Sequence, residues 1–310
     1  MENWESRGHL LTEQINPGSH NLDSLSSLEI VELFNREDAS TIKAIADAKT
    51  DLAAAIEAGK QALSQGGRLF YVGAGTSGRL GVLDAAECPP TFCTPPELVQ
   101  GIIAGGAGAL IRSSESLEDR PEDGESAIAH YHITNLDLVV GITAGGTTPY
   151  VHGALLAAKE RGATTVAISC VPVEQVSIDA DIDIRLLVGA EVLAGSTRLK
   201  AGTVTKMALN IISTGIMVRL GKVYGNRMID VSVTNSKLSD RAIRIICDLT
   251  DLNRQQAKEL LQKSKQKVKL ALLIEWTGLS AEEGEQLLEK YQGNLRLAQQ
   301  SYLTQNLQNL

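Results

Sequence analysis

The sequence predicts an α/β protein: a parallel sheet with helices on both faces, followed by a small module made only of helices. Short apolar runs alternate with amphipathic, helix-like segments as far as residue 222, which is typical of crossover units in a parallel sheet. Glycine-rich turns directly follow two of these runs. Short amphipathic segments then fill the rest of the chain. We therefore expect residues 1–238 to form the α/β domain, with an N-terminal helical arm, and residues 239–310 to form the helical module.

The composition is that of an ordinary globular protein. The 310 residues, 43% of them hydrophobic, are enough to bury a large core. A formal net charge of -8 argues against nucleic acid and anionic membranes as partners, so an anionic ligand would need a local basic cluster. The scattered cysteines predict neither a zinc site nor a disulfide framework. We see no signal-like N-terminus and no long apolar run, and we expect a cytoplasmic protein.

Local patterns predict the elements in chain order. Residues 1–22 are polar and predict an arm. Apolar runs predict strands over residues 68–72, 98–104, 136–142, 164–169 and 182–188. Helical spacing and capping residues predict helices over residues 24–35, 40–64, from Thr76 or Ser77 to the prolines at 89 and 90, 107–119, 149–161 and 201–222. Residues 224–238 read as a polar connection, and Ser280 is predicted to cap a helix of the last module.

The turn after the first strand is a candidate phosphate site. Gly73, Gly75 and Gly78 let the backbone bend and approach a ligand, and the following helix N-terminus offers free N–H groups to an anion. Thr76 and Ser77 add hydroxyl donors. The turn lacks the lysine of a nucleotide P-loop, and the next strand ends in two glycines rather than in a ribose-binding acid. By spacing alone, a purely structural turn is as good an interpretation as a binding turn.

A second turn, T-A-G-G-T-T-P-Y at residues 143–150, follows the third strand. Because ligands of parallel sheets bind beyond the carboxyl ends of the strands, the turns at Gly73 and Gly145 can line one pocket. The segment at residues 189–206 contributes Arg198, Lys200 and Lys206, which supply the positive charge that a phosphorylated ligand needs in an acidic chain. A solvated basic start of a helix is the alternative.

Carboxylates supply the candidate acid–base groups. Glu87 has Ala85, Ala86 and Cys88 as neighbours, so desolvation there would favour the protonated form and suit it to donate a proton. Glu115 and Glu118 would share one face of the helix predicted over residues 107–119. Taken alone, each of these carboxylates is more often a surface charge than a catalytic group. Residues 130–132, H-Y-H, are predicted to form a solvated turn, and we can assemble neither a Ser/His/Asp arrangement nor a metal site.

Several of these motifs together resemble one family. The run V-G-A-G-T-S-G-R-L-G-V-L-D-A-A-E-C-P-P-T-F is similar to the phosphosugar-binding loop of sugar isomerase (SIS) domains, in the form found in N-acetylmuramic acid 6-phosphate etherases. E-V-L-A-G-S-T-R-L-K-A-G-T-V-T-K resembles a signature that these etherases share with the glucokinase regulatory protein. T-E-Q-I-N-P-G-S-H-N-L-D near the N-terminus and G-N-R-M-I-D-V-S-V-T-N-S-K-L at residues 225–238 also match, so the resemblance covers nearly the whole chain.

The resemblance implies an SIS-type sheet and a defined reaction. N-Acetylmuramate 6-phosphate and water would give N-acetylglucosamine 6-phosphate and D-lactate, by elimination and then water addition, without metal or cofactor. The glutamate of the E-C-P-P motif falls on Glu87, which would protonate the departing lactate oxygen. The second glutamate of an E-x-x-E-D segment falls on Glu118, which would remove the C2 proton. Glu115 is the alternative base. The resemblance also implies a homodimer and a small phosphosugar as the substrate.

The substrate-binding residues that we expect are Gly75, Thr76, Ser77, Thr143, Thr147, Glu191, Ser196, Arg198 and Lys200. One departure concerns the second turn, where A-S-G-R-T-P-Y would be expected and this chain has A-G-G-T-T-P-Y. A serine is replaced by Gly145 and an arginine by Thr147, so threonine hydroxyls would have to substitute. Two other functions remain open: a phosphosugar isomerase, and a non-catalytic phosphosugar-sensing regulator like the glucokinase regulatory protein.

Overall fold

The computed structural model describes residues 7–112, 117–231, 233 and 235–307. The chain divides into two compact units. One consists of Met1–Glu87 with Pro95–Ile216, and the other of Cys88–Thr94 with Met217–Leu310. The domain boundary after residue 238 stays a prediction.

The sheet lies in the first unit and has the strand order β2-β1-β3-β4-β5, with every neighbouring pair parallel. Its strands are β1 (Leu69–Gly73), β2 (Val99–Ile103), β3 (Leu138–Ile142), β4 (Thr164–Ser169) and β5 (Ile182–Arg185). The helices that begin in this unit are α1 (Ser27–Asp38), α2 (Ser40–Asp47), α3 (Lys49–Ser64), α4 (Gly75–Phe92), α5 (Pro121–His130), α6 (Pro149–Glu160) and α7 (Lys200–Arg219). Every residue of β1 and β3 is buried, as the unbroken apolar runs predict.

Helices cover both faces of the sheet. A Cβ built on Gly81 of α4 would lie 2.7 Å from Tyr71 Cβ, so α4 packs on the face to which Tyr71 points. A Cβ on Gly141 would lie 2.8 Å from Leu155 of α6. Tyr71 pairs with Val140, the residue before Gly141, and successive residues of a strand face opposite sides. The predicted fold class, a parallel sheet with helices on both faces and a helical C-terminal part, is confirmed.

Two helix predictions were wrong in detail. The helix predicted over residues 40–64 is two helices, α2 and α3, separated at Ala48 (φ -85°, ψ 7°). α4 does not stop at the prolines but includes Pro89 and Pro90 and ends at Phe92. The φ that proline imposes is itself helical, and each ring removes only one donor in the last turn. The Pro89 carbonyl still accepts a hydrogen bond from Cys93 N (2.9 Å).

The helix predicted over residues 107–119 is also wrong for the described residues. Gly105 (φ 83°) and Gly106 (φ 64°) adopt left-handed backbone conformations, and only a 3-10 helix, Gly106–Leu110, follows. The crossover helix is instead α5, which begins at Pro121 because proline suits the first helical position and holds the preceding Arg120 extended. Residue 130 is consequently the last residue of α5 rather than part of a turn.

The second unit is mostly helical. Residues predicted as a polar connection contain a two-stranded antiparallel hairpin, β6 (Val223–Tyr224) and β7 (Arg227–Met228). The helices of this unit are α8 (Ser236–Leu249), α9 (Arg254–Lys263), α10 (Val268–Thr277), α11 (Ala281–Lys290) and α12 (Leu295–Leu307). The predicted cap is confirmed, because the Ser280 side chain accepts a hydrogen bond from Glu283 N at the start of α11.

Among the residues that the structure describes, one helix is long and apolar enough, by composition, to cross a membrane. This helix is α7, and 56% of its most apolar 18-residue stretch is buried inside the protein. Burial of that kind is typical of a core helix.

Candidate functional site

The turn after β1 is shaped by a close approach of two glycines. A Cβ on Gly73 would lie 2.7 Å from Gly78 N, and a Cβ on Gly78 would lie 2.6 Å from Gly73 O. α4 begins at Gly75, whose φ of 52° favours glycine. Thr76 and Ser77 therefore lie within the first turn of α4 rather than ahead of it as caps. Both are half-buried, and the first helical hydrogen bond runs from Gly78 N to Ala74 O (3.1 Å), so the three preceding N–H groups are free of helical partners.

The turn after β3 presents hydroxyl groups at the start of α6. Thr143 and Thr147 are buried, and the Oγ1 atoms of Thr143 and Thr148 are 3.0 Å apart. Thr148 is the N-cap residue of α6, yet its side chain makes no capping hydrogen bond. Gly146 has a φ of 74°, and its carbonyl oxygen lies 2.7 Å from His152 Nε2. This turn can therefore offer hydroxyl groups and the positive end of a helix dipole to an anion.

The two turns lie side by side. β1 and β3 are neighbours in the sheet, but α4 and α6, which follow them, pack on opposite faces. A crevice forms at such a switch in strand order, beyond the carboxyl ends of the two strands. The strand order therefore brings the turns at Gly73 and Gly145 to the same edge of the sheet. That the two turns line one pocket stays a prediction.

The segment before α7 uses its carboxylate within the protein. Glu191 is 1% exposed and accepts hydrogen bonds from Lys200 N and Ala201 N, both 2.9 Å, which caps α7. Burial raises the pKa of Glu191, against the effect of these two hydrogen bonds. A Cβ on Gly202 would lie 3.6 Å from Thr76 Cγ2, so the first turns of α7 and α4 are neighbours.

The three cations of this segment have different surroundings. Lys200 Nζ lies 3.1 Å from Glu37 Oε2, and the lysine side chain is 3% exposed. Lys206 Nζ lies 3.9 Å from Asp84, a buried carboxylate whose pKa is raised by burial. Arg198 is exposed, and Ser196 beside it is half-buried. Arg198 is thus the cation of this segment that no carboxylate engages within the described residues.

The glutamates lie in different settings. Glu87 is exposed on α4. The prediction that its carboxyl group is desolvated is therefore wrong for the single chain. Glu118 is half-buried in a turn, and its carbonyl oxygen accepts a hydrogen bond from Tyr150 N (3.0 Å) at the start of α6. Glu118 therefore does not lie on a helix, contrary to the prediction. Glu115 lies outside the described residues.

A cavity of about 610 Å³ lies beside the edge strand β2. Leu117, next to Glu118 in the chain, lines it together with Asp123, Tyr131 and Tyr150. Burial raises the pKa of Tyr150 to about 12, so its hydroxyl is a neutral donor at physiological pH. Among the described residues no group of three or more His, Cys, Asp or Glu side chains could hold a metal ion. The expected independence from metals and cofactors stays a prediction.

The N-terminal arm contacts two segments that contain predicted site residues, and the local sequence patterns did not predict these contacts. Arg7 pairs with Asp119 (3.7 Å), next to Glu118. A Cβ on Gly195 would lie 2.9 Å from Glu13 Oε2. Asn16 Nδ2 donates a hydrogen bond to Glu37 (2.6 Å), and the same carboxylate accepts one from Lys200 Nζ. The arm therefore touches the Glu118 segment and the segment before α7. The motif T-E-Q-I-N was the signal that could have indicated this.

Three family models of known domains match parts of this chain. The family model "Glucokinase regulatory protein N-terminal SIS domain" matches residues 51–159, "SIS domain" matches residues 115–212, and "C-terminal lid domain of glucokinase regulatory protein" matches residues 225–277. Among solved structures, phosphoheptose isomerases from Francisella tularensis and Neisseria gonorrhoeae are each 17% identical, with TM-scores of 0.42 and 0.43. Each match covers 61% of this chain, and 100% and 98% of those chains.

The similarity to curated etherases is much higher. The N-acetylmuramic acid 6-phosphate etherase of Microcystis aeruginosa is 73% identical over 302 residues, which is 97% of this chain and 99% of that protein. The etherase of the same name from Gloeothece citriformis is 76% identical over 303 residues, covering 98% of this chain and 99% of that protein. The chain belongs to the N-acetylmuramic acid 6-phosphate etherase family.

Proposed function

We propose that the protein cleaves the D-lactyl ether of N-acetylmuramate 6-phosphate, giving N-acetylglucosamine 6-phosphate and D-lactate. The observation that carries this proposal is identity of 70–76% to etherases over almost the whole chain. The enzyme would be a carbon–oxygen lyase of N-acetylmuramate catabolism and peptidoglycan recycling, acting in the cytoplasm. Neither an isomerase nor a sensor is favoured by that identity.

The chemistry requires a base and an acid. In the open-chain sugar the C2 proton lies beside the C1 aldehyde and is acidic, so a carboxylate can remove it. The lactate alkoxide is a poor leaving group and needs a proton. We assign the base to Glu118, which is half-buried beside the start of α6 and so close to an anion-binding turn. We assign the acid to Glu87. Water then adds to the unsaturated sugar, and the C2 position regains a proton from solvent.

The phosphate would bind where hydroxyl and N–H groups converge. Ser77 and Thr76 support this role because they lie in the first turn of α4, whose N–H groups have no helical partners. Thr143 and Thr147 would supply hydroxyl groups before α6, where Tyr150 N is already bonded to Glu118 O. Arg198 would add charge from the α7 segment. Lys200 and Glu191 are engaged with Glu37 and with the α7 backbone, so their contribution would come through holding that segment in place.

The position of Glu87 favours a homodimer with shared sites. It lies ten residues after Ser77 in α4, which at roughly 1.5 Å per residue is about 15 Å along the helix. Only a few covalent bonds separate the 6-phosphate of the substrate from its 3-oxygen, so one substrate bound at the start of α4 would not reach Glu87 of the same helix. A second copy of the chain could supply this group, and Glu87 is exposed in the single chain.

The test is D-lactate release by the purified protein. We expect lactate and N-acetylglucosamine 6-phosphate from N-acetylmuramate 6-phosphate, and far slower turnover of the unphosphorylated sugar. Binding without release would indicate a sensor, and aldose–ketose conversion of phosphosugars without lactate release would indicate an isomerase. Either result would overturn the proposal.

A further inference from the structure

The N-terminal arm carries a buried hydroxyl group that the proposed mechanism does not use. Thr12 is 2% exposed, and its Oγ1 has no hydrogen-bond partner among the described residues. Buried hydroxyl groups are nearly always hydrogen-bonded, because an unpaired one loses its bonds to water without compensation. A role that appears only when a ligand is present would explain why this hydroxyl is retained.

The residues before Thr12 hold it in one place. Leu10 is 1% exposed and belongs to the apolar core that also contains Phe70 and Val151. Leu11 N donates a hydrogen bond to Gln175 Oε1 (2.9 Å), and Gln175 Nε2 donates one to His9 O (3.1 Å). The arm is therefore anchored on both sides of its backbone, and the Thr12 side chain has little freedom to choose another partner.

The Thr12 hydroxyl faces the turn that precedes α6. A Cβ on Gly145 would lie 3.6 Å from Thr12 Oγ1 and 3.8 Å from Thr147 Oγ1, which are its nearest described neighbours outside residues 144–146. A serine at position 145 would put its hydroxyl beside that of Thr12. This chain has glycine there, at the position where the similar A-S-G-R-T-P-Y pattern has serine. α6 itself starts at this turn without a side-chain cap.

We propose that Thr12 is a substrate-binding residue of this turn, and that its hydroxyl donates a hydrogen bond to a phosphate oxygen of the phosphosugar. The inference rests on the proposed function for the class of ligand. In the chain without ligand, Gly145 lies against this hydroxyl. Because Gly145 carries no side chain, a phosphate oxygen can approach the hydroxyl there without meeting a Cβ atom. In the complex Thr12 gains the partner that it lacks without ligand.

The experiment compares the full-length parent with Thr12→Val, which keeps the shape and removes the hydroxyl, and Thr12→Ser, which keeps the hydroxyl. N-Acetylglucosamine 6-phosphate and inorganic phosphate are titrated calorimetrically into each. Loss of one hydrogen bond to a charged oxygen should weaken binding about tenfold to a hundredfold in Thr12→Val. Thr12→Ser should retain the affinity. Adding Gly145→Ser to Thr12→Val should recover part of it, since a hydroxyl returns at the same place.

The matched control is Thr94→Val. Thr94 is also buried (6% exposed), and its hydroxyl also lacks a partner among the described residues, but it is far along the chain from both turns. This variant should bind both ligands as the parent does. Thermal unfolding without ligand adds a second readout: Thr12→Val should be as stable as the parent or more so, because an unpaired buried hydroxyl is removed. A purely structural role would predict lower stability instead.

Three outcomes would overturn the inference: Thr12→Val binding both ligands like the parent, Thr12→Ser losing as much affinity as Thr12→Val, or a parent that binds neither ligand. If Thr12→Val does not fold, Thr12→Ala replaces it in the same comparison. Lactate release is measured separately on the parent. A parent that binds N-acetylglucosamine 6-phosphate in a Thr12-dependent way but releases no lactate would refute the etherase proposal alone.

Discussion

Substitution of Gly78 by alanine tests whether the glycine turn after β1 has to be as tight as the structure shows. The added Cβ would lie 2.6 Å from both Gly73 O and Ile103 Cγ1. The first of these atoms is backbone and cannot rotate away. Overpacking of this kind costs about 1–3 kcal/mol, while replacing a glycine inside a helix by alanine gains roughly 0.5–1 kcal/mol. We expect a net loss of about 1–2 kcal/mol of unfolding free energy.

The assay is urea denaturation followed by circular dichroism, together with titration of N-acetylglucosamine 6-phosphate. The matched control is Gly108→Ala, because a Cβ on Gly108 would meet no atom within 4 Å and its φ is not positive. We expect this control to lie within about 0.5 kcal/mol of the parent. Gly78→Ala should also weaken phosphosugar binding, since the Cβ pushes the first turn of α4 away from β1. If Gly78→Ala is as stable as Gly108→Ala and binds the phosphosugar equally well, the close approach to Gly73 is not required.

Further predictions concern chemistry and charge. Glu87→Gln should fold normally and lose lactate release, because glutamine cannot donate the proton; near-parent turnover would place the donor elsewhere. Product formed in heavy water should carry deuterium at C2, and Glu118→Gln should abolish lactate release and C2 exchange together, while Glu115→Gln leaves exchange detectable. The reverse behaviour of these two variants would assign the base to Glu115, and product without deuterium would refute the elimination. Arg198→Gln should weaken phosphosugar binding about tenfold or more by removing a charge-assisted hydrogen bond. Unchanged affinity would show that a group other than Arg198 supplies the positive charge for the phosphate. Burial raises the pKa of Glu191, so the folded chain holds the carboxyl proton of Glu191 more tightly than the unfolded chain does. The stability that this proton contributes is present below the ordinary glutamate pKa and is lost as the pH rises through the raised pKa of the folded chain. The unfolding free energy of the parent relative to Glu191→Gln should therefore fall as pH rises from the ordinary value of 4.5, and a rise over that interval would contradict the shift.

Much of the sheet could be predicted from the sequence because buried parallel strands are unbroken apolar runs. The fourth predicted strand, residues 164–169, coincides with β4 (Thr164–Ser169), and the others agree to within a few residues. The helix predicted over residues 107–119 failed because Gly105 and Gly106, just before it, adopt positive φ and are followed by a 3-10 helix among the described residues, which local spacing does not reveal. The prolines of α4 misled for a similar reason: a proline restricts the chain locally, but position within the last turn decides whether the helix tolerates it.

The sequence by itself determined the α/β class, the two glycine turns and the motifs by which the family is identified, because these depend on residue types at short spacing. Only the tertiary structure decided how those groups are used. Lys200 reaches Glu37 across 163 positions of the chain, and Glu191 caps α7 instead of facing solvent. Thr12 comes to lie beside Gly145 through the anchoring of the arm on the core. Each of these contacts joins residues distant in sequence, and local spacing carries no information about which of them the packing of the sheet and helices will bring together.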